Sequence, residues 1–185
     1  MSDLVEELSL LARLDARRPL DLDDVDLAEI ATAAVDAARV AQPERPIALE
    51  APATLPVVAD GLRVRQILDN LLSNAQRHTP TDAAVRVRIG ADGGDAILEV
   101  EDDGPGIPDE GRDRVFERFF RADPSRSRDS GGSGLGLSIV AALAEAHGGE
   151  ASYERAPSGG ARFTVRLPRT GPDRGAAPLP AAPSV

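Results

Sequence analysis

A layered α/β fold is predicted for this chain, and three observations predict it. Apolar residues recur at helical spacing in several segments. They alternate cleanly in others, and two alternating segments are joined by Asp92-Gly93-Gly94-Asp95, a hairpin turn. Helices and strands follow one another in mixed order, without the regular alternation of a doubly wound sheet. The length of 185 residues suits one ordinary domain with short appendages.

The elements follow in order. Leu4, Val5, Leu8, Leu11, Ala12 and Leu14 make an apolar stripe on a helix over 2–17, ended by Arg18-Pro19. So short a helix wants a partner for its stripe. An acidic link follows, with Asp21, Asp23, Asp24 and Asp26. Leu27, Ile30, Ala31, Ala34 and Ala38 predict a helix from about Asp26 to Val40, stopped by Pro43 and Pro46. Ile47 to Glu50 and Val57 to Ala59 read as short strands. Asp60 then reads as the N-cap of a helix from Gly61 to His78. Val85 to Ile89 and Ala96 to Val100 form the hairpin. A helical patch is predicted around Arg114 to Phe120, and a buried helix from about Leu135 to His147. Strands near Ala151 to Arg155 and Ala161 to Leu167 close the domain. The Pro- and Ala-rich tail after Pro168 is expected to be disordered.

Composition excludes several chemistries. There is no cysteine, so disulfides, thiolate metal sites and cysteine catalysis are out. All 21 basic residues are Arg. Without Lys there is no P-loop and no eukaryotic-type protein kinase. With two His and no Cys, a structural zinc site is not expected either. The net charge of −10 argues against nucleic acid as main partner. Much of that charge belongs to the acidic end before residue 36, a solvated segment rather than a functional surface. No apolar run approaches the ~20 residues of a membrane span, and no signal peptide is evident. The chain therefore reads as cytoplasmic, without membrane contact of its own.

Three runs carry chemistry. At 100° per residue, Asn70, Asn74 and Arg77 fall on one stripe of the long helix, with His78 at its edge. Val64, Leu68, Leu71, Leu72 and Ala75 fall opposite. An amide oxygen can ligate Mg²⁺ without repelling phosphate, and an Arg beside it can pair with phosphate oxygens. Taken alone, the stripe also fits a solvated face, although Asn is a poor helix former. Second, Asp102-Asp103-Gly104-Pro105-Gly106-Ile107-Pro108 directly follows a strand. A carboxylate there can accept from an exocyclic amine, and the glycines let backbone approach a flat ligand. An ordinary Asp-Gly turn would look similar. Third, Gly131-Gly132-Ser133-Gly134-Leu135-Gly136-Leu137-Ser138 opens a helix, as a phosphate cradle does. Neither run is a G-x-G-x-x-G dinucleotide fingerprint. Between the second and third lie Phe116, Phe119 and Phe120, then Arg121, Arg126 and Arg128. Aromatics anchoring one end and glycines freeing the other describe a lid.

In this order the runs closely resemble the N, G1, F and G2 boxes of the catalytic and ATP-binding domain of bacterial sensor histidine kinases. That superfamily also contains gyrase B, MutL and the large heat-shock chaperone. The N-box is Gln66 to Pro80, the F-box Val115 to Arg121, and Gly148-Gly149 and Gly159-Gly160 stand where the last Gly motifs fall. The resemblance implies a Bergerat-type two-layer α/β sandwich, a mixed and mostly antiparallel sheet backed by helices, with an ATP lid. It implies Mg²⁺ at Asn74, assisted by Asn70. It places Arg77 and His78 at the phosphates and Asp102 at the adenine amine. Gly104, Gly106 and Ile107 would shape the adenine pocket. Gly132, Gly134, Leu135, Gly136 and Leu137 would carry the lid end and phosphates, and Arg121 would reach the γ-phosphate. Phosphoryl transfer suits such parts, since it needs positioning and charge neutralisation above all.

The family's phosphoacceptor His, followed by an acidic residue and Pro, is not found here. His78 lies on the nucleotide face and His147 ends a helix, so neither reads as that group. Residues 1–18 resemble the end of the second dimerisation-hairpin helix, 19–25 a linker, 26–168 the ATP-binding domain and 169–185 a tail. The implied partners are a histidine-bearing dimerisation domain supplied in trans and, indirectly, a response regulator. Two other readings stay open at this point. One is a stand-alone serine kinase of the anti-sigma-factor type, against which the F-box and Arg-rich lid argue. The other is an ATP-binding regulatory module without transfer activity.

Overall fold

The computed structural model describes residues 19–120 and 133–172. The expected N-terminal helix, the Arg121 to Gly132 part of the lid, and the tail from residue 173 lie outside the described residues.

Eleven elements follow among the described residues, one of them a 3-10 turn. They are β1 (Asp23–Asp26), α1 (Leu27–Ala41), β2 (Ile47–Glu50), β3 (Pro56–Ala59) and α2 (Gly61–His78). Then come β4 (Val85–Asp92), β5 (Asp95–Asp102), a 3-10 turn (Asp109–Arg114), α3 (Gly136–Ala146), β6 (Glu150–Arg155) and β7 (Ala161–Pro168). The main sheet has the order β2-β4-β5-β7-β6. Only β2 and β4 run parallel; the other neighbours are antiparallel. A small antiparallel ribbon pairs β1 with β3. This is the mixed sheet backed by helices that the sequence led one to expect.

Strand alternation explains the two layers. Val85, Val87 and Ile89 of β4, Leu98 and Val100 of β5, and Phe163, Val165 and Leu167 of β7 all point to one face and are buried. They pack beneath the apolar stripes of α1 (Leu27, Ala31, Ala34, Val35), α2 (Val64, Leu68, Leu71) and α3 (Ile139, Leu143). The opposite sheet face is an ion-pair lattice. Glu101 lies between its cross-strand neighbours, accepting from Arg86 at 2.8 Å and from Arg162 at 2.6 Å. Charge-assisted bonds of this kind let Glu101 be only 4% exposed.

Three local differences from the sequence expectation have physical causes. The acidic link contains a strand, because Asp23 to Asp26 finds hydrogen-bonding partners in β3 rather than an apolar face. The helical patch at Arg114 to Phe120 is instead a 3-10 turn starting at Asp109 and followed by irregular turns. Phe119 has a φ of 61°, which no helix residue can adopt. The chain also continues in order past Pro168. Arg169 donates its N–H to Gly94 O at 3.0 Å and accepts from Val58 N–H at 2.9 Å.

Candidate functional site

α2 carries the first part of the site. Asp60 caps it, accepting from Arg63 N–H at 3.1 Å. Val64, Ile67, Leu68, Leu71, Leu72 and Ala75 face the core. Asn70 and Asn74 stand half-buried on the other side, with Arg77 and His78 exposed beyond them. The Asn70 side chain faces the start of α3, where a Cβ added to Gly136 would lie 3.8 Å from Asn70 Oδ1. Asn70 Nδ2 is buried and has no hydrogen-bond partner among the described residues. An unsatisfied buried donor costs about 1–3 kcal/mol, and a phosphate oxygen would satisfy it. Among the described residues no N-cap side chain closes α3 at Leu135, whose own N–H goes to Ser133 Oγ at 3.2 Å, so the N–H groups of the following first turn could meet an anion.

The donor set also fits a magnesium ion. Among the described residues no cluster of three His, Cys, Asp or Glu could hold a metal. Mg²⁺ commonly uses one or two protein oxygens and takes the rest from water and substrate phosphates. Amide oxygens of Asn70 and Asn74 near a helix start that could take phosphate would meet that requirement.

β5 ends in the second part. Asp102 is 5% exposed, and its Oδ1 accepts from Gly104 N–H at 2.9 Å and Ala161 N–H at 3.2 Å. Burial pushes the Asp102 carboxyl above its ordinary value. The two backbone donors and the Arg45 charge pull the other way, while Asp103 adds to the rise. Asp103, one residue on, turns to the opposite face and pairs with both guanidinium nitrogens of Arg86, at 3.0 and 2.9 Å. That pairing holds its carboxyl below the usual range. Adjacent carboxylates thus do different work: one faces the pocket, the other locks the strand.

The glycines that follow are required by close approach. A Cβ on Gly104 would collide with the Thr79 methyl and sit 2.8 Å from Asp102 Oδ1. Gly106 has a φ of 69°, and a Cβ there would sit 2.7 Å from Gly159 O. Ile107 packs its side chain against the core and donates its N–H to Tyr153 Oη at 3.1 Å.

The two stems of the lid segment meet. Phe119 N–H donates to Gly134 O at 2.9 Å. Phe116 packs edge-on to Phe163, with ring centroids 6.3 Å apart, and Arg114 stacks on Phe120 at 5.1 Å. Phe119 is left exposed. Leu135 is fully buried and Leu137 packs against the core, so only their backbones can face a phosphate. Gly134 and Gly136 lie at the stem and the helix start. Arg121 and Gly132 lie outside the described residues.

The sequence reading missed Thr79 and Tyr153 as walls of this pocket, and Ala161 N–H as a partner of Asp102. Each acts through a contact across more than 20 positions of chain, to which spacing is blind. His147 is as expected a structural residue, but a buried one. Its Nε2 accepts from Asp60 N–H at 3.1 Å, so the ring proton is on Nδ1, which donates to Leu143 O at 2.7 Å. Burial pushes the His147 pKa down, and it is neutral here.

A two-layer sandwich with amides on one helix, a buried aspartate at a strand end and an uncapped helix opposite defines an ATPase of one class. Residues 59–171 match the family described as histidine kinase-, DNA gyrase B- and HSP90-like ATPase, and the chain belongs to it. Within it the chain is a catalytic domain of the sensor histidine kinase type. A protein of Mycobacterium tuberculosis named probable sensor histidine kinase TcrY is 45% identical over 169 residues, covering 91% of this chain. The signal transduction histidine-protein kinase AfsQ2 of Streptomyces coelicolor is 43% identical over 170 residues, again covering 91% of this chain. The chain spans about a third of those relatives, 35% and 31% of their lengths. Among solved structures, the mycobacterial sensor histidine kinase MprB matches with a TM-score of 0.71 at 32% identity, over 81% of this chain and 99% of that one. Full-length ShkA in complex with AMPPNP matches with a TM-score of 0.79 at 34% identity, over 97% of this chain and 37% of that one.

Proposed function

We propose that this chain binds Mg·ATP and donates the γ-phosphoryl group to a histidine on a sensor-kinase dimerisation domain supplied in trans. The observation that carries it is the buried Asn70 Nδ2, without a hydrogen-bond partner among the described residues, facing the start of α3. Asn74 and Asn70 would hold the magnesium ion, which when bound would neutralise phosphate charge. Asp102 would orient the nucleotide by accepting from the adenine amine. Arg77 and His78, exposed at the end of α2, would face the phosphates, with Arg121 reaching in from the lid segment. The backbone N–H groups at Gly136 and Leu137 would cradle phosphate oxygens. Nothing in this set needs to form a bond to substrate; positioning and charge neutralisation suffice for phosphoryl transfer. The product phosphohistidine would serve a response regulator in a two-component system. Residues 26–168 would be the ATP-binding unit, with 1–18 belonging to the dimerisation hairpin. No helix among the described residues is long and apolar enough to cross a membrane, which suits a cytoplasmic setting.

Calorimetry with an ATP analogue tests the reading. The wild-type chain should give a one-site isotherm that depends on Mg²⁺. Asn74→Ala should weaken Mg²⁺-dependent binding by at least about tenfold, the loss of a ligand to a charged centre. Because Asn74 is off the core face, its melting temperature should barely move. Unchanged Mg·nucleotide affinity in that variant would remove the metal assignment.

A further inference from the structure

Arg45 lies in the loop between α1 and β2 and is only 4% exposed. Its Nε donates to Gln42 Oε1 at 2.6 Å. Nη1 donates to Thr79 Oγ1 at 2.7 Å and Ala83 O at 3.2 Å. Nη2 reaches Gln76 O and Thr79 O, both at 3.4 Å. Every one of these acceptors is neutral, and among the described residues no carboxylate comes within ion-pair range. A buried cation with no counter-ion is costly, and capping the end of α2 does not by itself require it. A surface cation would interact with the helix terminus as well.

What sets Arg45 apart is the chain of contacts beyond it. Thr79 Oγ1 accepts from Arg45 and donates to Ala75 O at 2.7 Å, which fixes its rotamer. The Thr79 methyl is thereby turned onto Gly104, and Gly104 is wedged between that methyl and Asp102 Oδ1. We propose that Arg45 is a positioning residue for adenine recognition: it sets the Thr79 wall against Gly104, beside Asp102 Oδ1, and supplies a positive charge on that side. This rests on the reading of Asp102 as the acceptor of the adenine amine.

The chemistry follows from which Asp102 oxygen is already engaged. Oδ1 already accepts from two backbone N–H groups, so a proton and the adenine amine would compete for Oδ2. The charged groups around Asp102 are few. Asp103 beside it repels its charge, but is paired outward with Arg86 of β4. Arg162 of β7 is engaged by Glu101 and Glu154 on the far sheet face. From the α2 side the charge that reaches Asp102 is that of Arg45, since Arg77 and His78 are exposed. Removing it raises the pH at which Asp102 loses its charge, and with it the pH at which nucleotide binding fails.

The test is calorimetric titration of the full chain with AMPPNP between pH 5 and pH 8, for wild type, Arg45→Gln and Arg45→Lys, with folding checked by circular dichroism. Arg45→Gln should bind about tenfold more weakly at neutral pH. Its affinity should also fall away at a higher pH than that of wild type. Arg45→Lys keeps the charge and loses the fork, so it should restore the wild-type pH profile but only part of the affinity. A uniformly weaker Arg45→Gln with the wild-type pH profile would reduce Arg45 to a helix cap. Should Arg45→Gln not fold, Arg45→Lys decides, and wild-type affinity in it would overturn the proposal. Failure of wild type to bind would overturn the nucleotide reading and this inference together. Binding by wild type with no effect at Arg45 would overturn this inference alone.

Discussion

At Asp102 folding and the proposed role in nucleotide binding favour opposite protonation states. Folding raises its pKa, so the folded chain holds that proton more tightly than the unfolded one. Its contribution to stability is present in acid and disappears as pH rises through the raised value. At neutral pH the ionised group is kept at a cost to folding. Asp102→Asn retains an oxygen for the Gly104 and Ala161 donors and drops the charge. It should therefore melt no lower than wild type, yet bind an ATP analogue at least about tenfold more weakly, an amide being a poorer acceptor and presenting its own donors to the amine. A differential scan and a titration on the same sample check both halves. His147 gives the opposite pH behaviour. Its pKa is lowered from 6.5 by burial, so below that value the unfolded chain binds the extra proton. The stability it provides is present above pH 6.5 and is lost progressively as pH falls toward its depressed folded value. His147→Gln should show a smaller drop in melting temperature between neutral pH and mild acid than wild type does.

At the scale of elements, α2 is the one on which the site depends, and Asp60 governs its start. The carboxylate caps Arg63 N–H and also accepts from Asp21 N–H at 3.2 Å, while the Asp60 N–H meets His147. One residue thus ties the entering chain, the amide-bearing helix and the end of α3 together. Asp60→Ala should cost about 1–2 kcal/mol, read as a lower denaturation midpoint with unchanged m. The sheet face is held differently. Arg162→Ala would strip Glu101 of one of its three guanidinium partners, Arg86, Arg88 and Arg162, and leave a 4%-exposed carboxylate under-compensated. A buried charge left so usually costs about 3–5 kcal/mol, and thermal melts would show it. The core pattern of α2 was legible in advance, because its apolar period is helical and one-sided. Strand β1 was not. Asp23 to Asp26 shows no apolar alternation, and it becomes a strand only because the β3 backbone offers it partners.

For the molecule as a whole, the proposed function needs a nucleotide held beside α2 and a histidine supplied from outside the chain. Radiolabelled γ-phosphoryl should pass from ATP to a separate histidine-bearing dimerisation domain of a related sensor kinase, and not onto His78 or His147 of this chain. Labelling of this chain alone would contradict transfer in trans. His147 is unsuited in any case, being buried and engaged at both ring nitrogens.

The sequence by itself determined the layered architecture, the two faces of the Asn helix and the order of the motifs. Those properties are local: a period of 3.6 or 2, a cap, a glycine run. Spacing alone was also enough to separate Asn70 and Asn74 from the core. Only the tertiary structure decided what stands behind the motifs. Arg45 reaches Thr79 across 34 positions, Tyr153 reaches Ile107 across 46, and Ala161 reaches Asp102 across 59. Contacts of that range are set by how the sheet registers and how the helices pack on it, and they leave no periodic trace in the chain. Burial has the same character. Asp102 and Asp103 are chemically identical neighbours, and only the pleat of β5 and the strand beside it make one a buried acceptor of backbone N–H groups and the other an ion-pair partner.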